Sequence, residues 1–532
     1  LPGILGLLFL AGHLVRFTVH PYGAMLLAGG LAMQVARLIR RHTEGFYRLV
    51  KRSTAWMAIL VAGLALAVPT GRWWAERRAL AALAPAAADA ANVLLITLDT
   101  VRAQSLSLYG HERLTTPELQ RFAETGVVFQ RALATAPWTL PSHASMFTGR
   151  FASEMSADFQ TPLDARDPTL AEVLSARGYV TAGFVANYLY CGAHTGLGRG
   201  FAHYEDQPRV GWIIEDSTVG QIIRNSDKIA RFLGVDRKGP LFHKDAAMLN
   251  RDFLRWLPHQ GRRPFFAFLN YYDAHEPYMA PRPFDREFRS SSITSPIQAD
   301  LDAYEGSIAY LDHHLGRLFR ELDERGILSN TLVLITSDHG EHFGEHGLRF
   351  HSNSLYAQLL HVPLVISFPA RVPSGKRVES TISLRELPAT VVDLLGMVDV
   401  NCFPAPSLAR HWQVAKSAEG APKGTVLSEV SCWQYTTGGP NQKGPMKALV
   451  ADSLHYIKNY GDGREELYDF ESDPREERDL ASLPERQRVL ERLRASLEQI
   501  SKGRFAGYLA EKQRQEGSEN AGNDRSVAST KQ

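Results

Sequence analysis

Continuous apolar runs, each closed by an acid, a proline or a glycine, alternate with three-and-four periodic stretches through the middle of the chain. Residues 92–98 are apolar almost without interruption and lead to Asp99, as expected of a strand buried on both faces of a parallel sheet. Residues 180–186, 264–272, 331–336 and 362–368 share that texture. Between them, Thr116 and Pro117 open a helix over 118–125 that stops at Gly126, with Thr at the cap. A second helix over 168–177 ends at Gly178. Leu301, Tyr304, Ile308, Leu311, Leu315, Leu318 and Leu322 mark one apolar face of a long helix, whose Asp312, His313 and His314 are solvated or capping groups. This alternation predicts an α/β fold, a mostly parallel central sheet flanked by helices, over 92–400.

The pattern changes at both ends. Residues 401–485 break into shorter segments, expected as a smaller C-terminal α+β subdomain. Residues 486–532 read as a polar helix and a disordered tail. At the other end, 1–15, 21–35 and 54–68 are apolar runs, each shorter than the ~20 residues of a comfortable span but extendable through Leu38, Ile39, Trp73 and Trp74. They are expected to be N-terminal transmembrane helices within 1–78. Arg37, Arg40, Arg41, Arg48, Lys51 and Arg52, against the acid Glu44, mark a cytoplasmic loop. An alanine-rich linker, 79–91, then leads to a catalytic domain on the extracytoplasmic side of a multi-pass membrane protein. The chain opens on Leu1, so a further N-terminal piece is expected.

Composition removes some classes of function. A net charge of +2 supplies no basic field for a nucleic-acid backbone, so no nucleic-acid partner is expected. Cys191, Cys402 and Cys432 form no CxxC pair, which argues against a zinc knuckle. Cys191 is expected to be a small buried residue.

In parallel sheets, ligands gather beyond the carboxyl ends of the strands, and Asp99, Asp273 and Asp338 all stand at such ends. Asp99, Asp338 and His339 suit one divalent cation, with zinc, manganese and calcium all compatible with oxygen and imidazole donors. The stretch 136–150, APWTLPSHASMFTGR, offers Thr139 as a hydroxyl that such a cation activates toward a tetrahedral anionic ester. Thr139 also qualifies as a cap for a helix starting near Pro141, and Ser142 is a second hydroxyl. His342 and His346 are expected on a loop.

Five segments, in order, carry a family resemblance: VLLITLDTVRAQSLSLYG, TLPSHASMFTGR, SDHGEHFGEHG, SLYAQLLHVPLVI and LYDFESDPREERDL. Over 92–480 the chain resembles the sulfatase family of the alkaline-phosphatase-like superfamily. The resemblance implies Asp99, Asp338 and His339 as metal ligands, joined by Thr139 at the nucleophile position. It places His143 at the signature arginine, His275 near the leaving group, where it protonates the leaving oxygen, and His351 near an anion-binding lysine. Glu341 fits as a partner of a ligand.

The departures change the expected chemistry. Sulfatases oxidise a signature Cys or Ser to formylglycine, which Thr139 cannot become, so no formylglycine is expected. Thr100 replaces a second Asp, and VTAGFVANYLY stands where the family has Gly-Lys-Trp-His. A threonine nucleophile with these ligands is similar to relatives that act on phosphorus, including transferases of lipid and envelope-polymer head groups. The expected protein is a metal-dependent hydrolase or transferase of an anionic ester, phosphate favoured over sulfate, with a lipid or envelope polymer as partner. The alternative is a catalytically silent binding or sensor protein of the same fold.

Overall fold

The computed structural model describes residues 30, 33–87, 89–159, 161–206, 244–260, 263–289, 295–413, 425–432 and 438–501. They group into two compact units, one within 1–83 and 207–244 and the other within 84–206 and 245–501.

In the first unit, helix α1 (Thr43–Ala81) spans 39 residues and contains the apolar run 54–68. Val61, Leu64, Ala65, Leu66 and Val68 of that run have side chains outside the description, as do 1–15 and most of 21–35. Among the described residues no helix is long and apolar enough to cross a membrane, so the expected transmembrane helices find no support there. The described helix intersperses its apolar residues with Arg48, Lys51 and Arg52 before the run and Glu76, Arg77 and Arg78 after it.

The second unit is built on a nine-stranded sheet. Its strands are β1 (Asn92–Leu98), β2 (Val127–Leu133), β3 (Val180–Val185), β4 (His203–Glu205), β5 (Phe265–Tyr271), β6 (Thr331–Thr336), β7 (Leu364–Ser367) and β8 (Lys376–Ser383), in the order β8-β2-β7-β6-β1-β5-β3-β4; His361–Val362 also pairs with β2. β1 lies between β6 and β5, parallel to both, with Thr97 level with Thr336 and Leu98 level with Tyr271. That register brings three acid-bearing strand ends to one edge. β7 is antiparallel to both neighbours. The run 362–368 is not one strand, because Pro363 has no N–H to continue the ladder.

The helices introduced by sequence periodicity form with small changes. α2 (Pro117–Ala123) has Thr116 at its N-cap, yet Thr116 makes no side-chain cap bond. The cap comes from far along the chain instead, where buried Asp312 accepts the N–H groups of Glu118 and Leu119 at 2.8 and 2.7 Å. α3 (Thr139–Thr148) is buried along its whole length. α4 (Leu170–Ala176) carries a Thr169–Glu172 capping box. α5 (Tyr188–Cys191) and α6 (Ala246–Trp256) follow, and α7 (Pro296–Glu324) buries Tyr304, Ile308, Leu311, Leu315, Leu318 and Leu322. All three cysteines are free thiols, with Cys191 buried.

A four-stranded antiparallel sheet, β9 (Val426–Val430), β10 (Met446–Ala451), β11 (Leu454–Asn459) and β12 (Glu465–Asp469), packs with α8 (Gln487–Ser501) around Leu449, Tyr456, Leu467, Leu493 and Leu497. The segment LYDFESDPREERDL anchors this layer to the loop after β6. Glu476 accepts the Ala357 N–H at 2.8 Å, and Glu466 accepts the Tyr356 hydroxyl at 3.0 Å. His346 lies flat on Tyr356, centroids 3.7 Å apart. The loop expected to carry His342 and His346 is therefore packed: His342 is buried and bonds Ser354 at 2.9 Å. The tail beyond 513 lies outside the described residues.

Candidate active site

Asp99 and Thr100 leave the end of β1 in a tight turn, with Thr100 at φ 63°. A β-branched residue is strained there. Its hydroxyl donates to the Ala274 carbonyl at 2.9 Å, and its N–H points at Asp338 Oδ1, 3.3 Å away. The Thr100 hydroxyl is thus spent on backbone carbonyls, those of Asp99 and Ala274. Asp338, past the end of β6, also receives the His339 N–H on Oδ1 at 3.0 Å. Asp99 Oδ2 receives Asn187 Nδ2 at 2.8 Å.

Each carboxylate thus gives one oxygen to protein donors, while Asp99 Oδ1 and Asp338 Oδ2 are buried with no hydrogen-bond partner. His339 completes the cluster. Its Nδ1 lies 2.9 Å from the Gly340 carbonyl, which can only accept, so Nδ1 carries the proton and the Nε2 lone pair is free. That Nε2 is 3.4 Å from Asp338 Oδ2 and 3.9 Å from Asp99 Oδ1.

Burial raises both carboxyl pKa values, and Asp99 raises that of Asp338 further. No lysine or arginine pairs with either among the described residues. Two buried carboxylate oxygens and one imidazole nitrogen, converging without a cationic side chain, fit a divalent cation. This is the one group of acid and histidine ligands that converges so among the described residues. Asp273, by contrast, turns away to receive the Ala246 N–H at 3.0 Å, and burial pushes its pKa to about 7.

Gly340 passes so close to strand-flanking backbone that a Cβ would sit 2.0 Å from the Gln358 carbonyl oxygen. Gly340→Ala must displace the loop carrying Asp338 and His339. Its expected cost is ~1–3 kcal/mol in thermal or denaturant unfolding, accompanied by weaker metal binding in a titration.

Thr139 stands at the first position of α3. The N-cap is Trp138, with no side-chain cap bond, so capping is not the role of the Thr139 hydroxyl. Its Oγ1 instead lies 3.5 Å from His339 Nε2 and receives Asn187 Nδ2 at 3.3 Å. The other hydroxyl, Ser142, is committed to the Asp338 carbonyl at 2.6 Å. His143 is fully buried one turn further on. Its Nδ1 donates to the Thr139 carbonyl at 2.8 Å and its Nε2 faces the Thr97 hydroxyl at 3.1 Å, so it supports the start of α3 from behind. Burial lowers its pKa.

His275 and His351 stand together over the cluster, ring centroids 4.9 Å apart, with His351 4.6 Å from His339. His275 stacks on Tyr272 at 4.3 Å. Burial, then the neighbouring His351, pushes its pKa to about 4. For His351, burial acts downward, but Glu341 at 3.0 Å, with Asp99 and Glu276 further off, carries its pKa above the ordinary value. Glu341 is fully buried and partners His351, outside the ligand group.

Asn187 and Asn270 belong to this site without having been singled out by sequence. Asn187 spans Asp99 and Thr139, and its own N–H is held by Asn270 Oδ1 at 3.0 Å. The available signal was positional: Asn187 follows β3 as Asp99 follows β1, and Asn270 is a polar residue inside a buried strand. Asn187→Ala is expected to lower catalytic efficiency by ~10–100-fold with little change in melting temperature, because it orients both groups.

An edge of parallel strands thus presents a buried cluster of candidate metal ligands beside a helix-borne hydroxyl. A sulfatase family model matches residues 91–397, and the chain belongs to the sulfatase family. It is 25% identical over 489 residues to an arylsulfatase of Clostridium perfringens, covering 78% of this chain and 95% of that one. It is likewise 25% identical over 471 residues to a Delta 4,5-hexuronate-2-O-sulfatase of Bacteroides thetaiotaomicron, covering 79% and 90%. The solved phosphonate monoester hydrolase of Agrobacterium radiobacter shares the fold, with a TM-score of 0.63 at 22% identity, covering 78% of this chain and 96% of that one.

Proposed function

We propose that the protein is a metal-dependent hydrolase or transferase of anionic esters in which Thr139 is the nucleophile, with phosphate esters preferred over sulfate esters. One observation carries this reading: Thr139 Oγ1 faces His339 Nε2 at 3.5 Å, beside two buried carboxylate oxygens that have no hydrogen-bond partner. Asp99, Asp338 and His339 would hold the cation, with Thr139 Oγ1 beside it. The cation, when bound, supplies charge that acidifies a hydroxyl and neutralises the ester's anionic oxygens. Converging ligand atoms of this kind count against a silent binding protein.

Asn187 orients the Thr139 hydroxyl, and the N-terminal end of α3 adds partial positive charge where the anion sits. Of the two histidines over the cluster, His351 is the one whose protonated form is favoured by a carboxylate partner, Glu341. We therefore assign to it the proton for the leaving oxygen, or the contact with the ester's anionic oxygens. His275, its pKa pushed down to about 4, offers a hydrogen bond in its neutral form; this assignment differs from the roles expected from sequence, on the support of Glu341 beside His351.

The reading is tested by comparing an aryl sulfate, an aryl phosphate monoester and a phosphodiester on the whole chain. The expected order places a phosphate ester first; an aryl sulfate turned over fastest contradicts the preference. We also propose that the catalytic unit is extracytoplasmic, on the support of the basic residues within 37–52. Protection from external protease in intact spheroplasts would count against it. A lipid or envelope-polymer head group as substrate belongs to this same proposal.

A further inference from the structure

Asp99 opens a turn whose backbone is held in part by a distant side chain. Thr100 sits at φ 63°, a conformation that a β-branched residue keeps only under constraint. Two bonds of the turn come from the strand ends: the Asp99 N–H donates to the Tyr271 carbonyl at 3.0 Å, and the Val101 N–H to the Leu98 carbonyl at 3.1 Å. Two more come from one phenol. Tyr304, fully buried on α7, donates its hydroxyl to the Thr100 carbonyl at 2.9 Å and accepts the Arg102 N–H at 3.0 Å. One oxygen thus bridges the backbone on both sides of Val101, which a phenol can do because it carries a proton and free lone pairs. The apolar face of α7 needs no hydroxyl at this position.

The turn acts on both candidate carboxylate ligands. It carries Asp99, and its Thr100 N–H points at Asp338 Oδ1, 3.3 Å away, leaving Oδ2 without a hydrogen-bond partner. Arg102 extends the same tie to the loop after His339. Its Nη1 donates to the Glu341 carbonyl at 3.2 Å and to Glu345 Oε1 at 2.7 Å, and its guanidinium lies 4.9 Å from the centre of the Phe343 ring. The Tyr304 ring packs on that same Phe343, centroids 4.8 Å apart. Both ligand-bearing segments therefore lean on one residue of α7 that is not itself in the ligand group.

We propose that Tyr304 is a positioning residue for the metal-ligand cluster: its hydroxyl holds the turn at Thr100 left-handed and so sets the direction of Asp99 and Asp338. This rests on Asp99, Asp338 and His339 as ligands and not on the Thr139 reading. Calorimetric titration of the metal-free whole chain with Mn²⁺, Zn²⁺ and Ca²⁺ in turn tests it without any turnover. Tyr304→Phe, which keeps the ring, is expected to bind the wild type's ion about tenfold or more weaker. Tyr109→Phe is the matched control, because the Tyr109 phenol bridges backbone in the same way, donating to the Phe129 carbonyl at 3.0 Å and accepting the Leu364 N–H at 2.8 Å. It is expected to lower the metal-free melting temperature about as much as Tyr304→Phe and to leave metal binding unchanged. Glycine takes a positive φ without a Cβ penalty, so in a Thr100→Gly background the loss from Tyr304→Phe is expected to fall below about threefold. Wild-type affinity in Tyr304→Phe, an equal loss in Tyr109→Phe, or the same loss in the Thr100→Gly background overturns the proposal. A wild type that binds none of the three ions removes the ligand cluster, and the positioning role with it. If Tyr304→Phe does not fold, amide exchange on the wild type decides. By reciprocity of coupled equilibria, the bound ion is expected to slow exchange of the Arg102 N–H at least tenfold more than that of the Leu364 N–H; equal slowing overturns the proposal.

Discussion

Thr139→Ala is expected to lower kcat for the preferred ester by ~10⁴–10⁶-fold, the range typical of nucleophile removal. KM and melting temperature are expected to stay near those of wild type. The effect is large because nothing else in the site replaces the hydroxyl: Ser142 is spent on the Asp338 carbonyl, and Thr100 on the Ala274 carbonyl. The structural cost is small because Oγ1 makes only a 3.3 Å contact from Asn187 and a 3.5 Å approach to His339, and it does not cap α3. Thr139→Ser keeps the oxygen and is expected to retain most activity. Steady-state rates with thermal melts on the three proteins check this. An alanine variant as active as the serine variant contradicts it.

Asp338→Asn is expected to remove the bound metal, lower activity by at least ~10³-fold, and yet stabilise the metal-free protein. A cation supplies several kcal/mol of transition-state charge stabilisation, which corresponds to that factor. The stability effect has the opposite sign. Without a cation, Asp99 and Asp338 are two buried carboxyl groups costly to ionise, Asp338 the more so for its neighbour Asp99, and each leaves one oxygen unpartnered. Chelation should therefore lower the melting temperature of wild type and leave Asp338→Asn unmoved. Elemental analysis of the purified proteins, with melts before and after chelation, measures both halves. Destabilisation of the metal-free protein by Asp338→Asn would mean that Oδ2, and not only Oδ1, has a structural partner.

Much of the frame was legible because β1, β5 and β6 are buried on both faces, so their sequences are unbroken apolar runs whose ends can be read off directly. β2 and β8 were not, because Gln130 and Arg131 in one, and exposed Lys376, Arg377, Glu379 and Ser380 in the other, interrupt the pattern. The acids at the strand ends were visible for the same reason as the strands. What they do was visible only in part. Asp273 and Asp338 look alike in sequence, yet one caps α6 and the other faces the cluster, a difference set by a tertiary contact with the Ala246 N–H. Thr116 looked like a helix cap, but Asp312, far along the chain, took the free N–H groups. The pairing of His351 with Glu341, on which the roles proposed for His275 and His351 rest, was unreadable because it is a contact made in three dimensions.

Attack of the Thr139 hydroxyl on the ester leaves a product that can be trapped. The whole chain, loaded with its divalent cation, is mixed with a fast aryl phosphate, quenched in acid within the first turnovers and mapped by peptide mass spectrometry. A phosphoryl group is expected on the peptide containing Thr139, formed at the rate of aryl alcohol release and absent from Thr139→Ala. Aryl alcohol released with no modified Thr139 peptide, and at a rate that survives the alanine substitution, would contradict it.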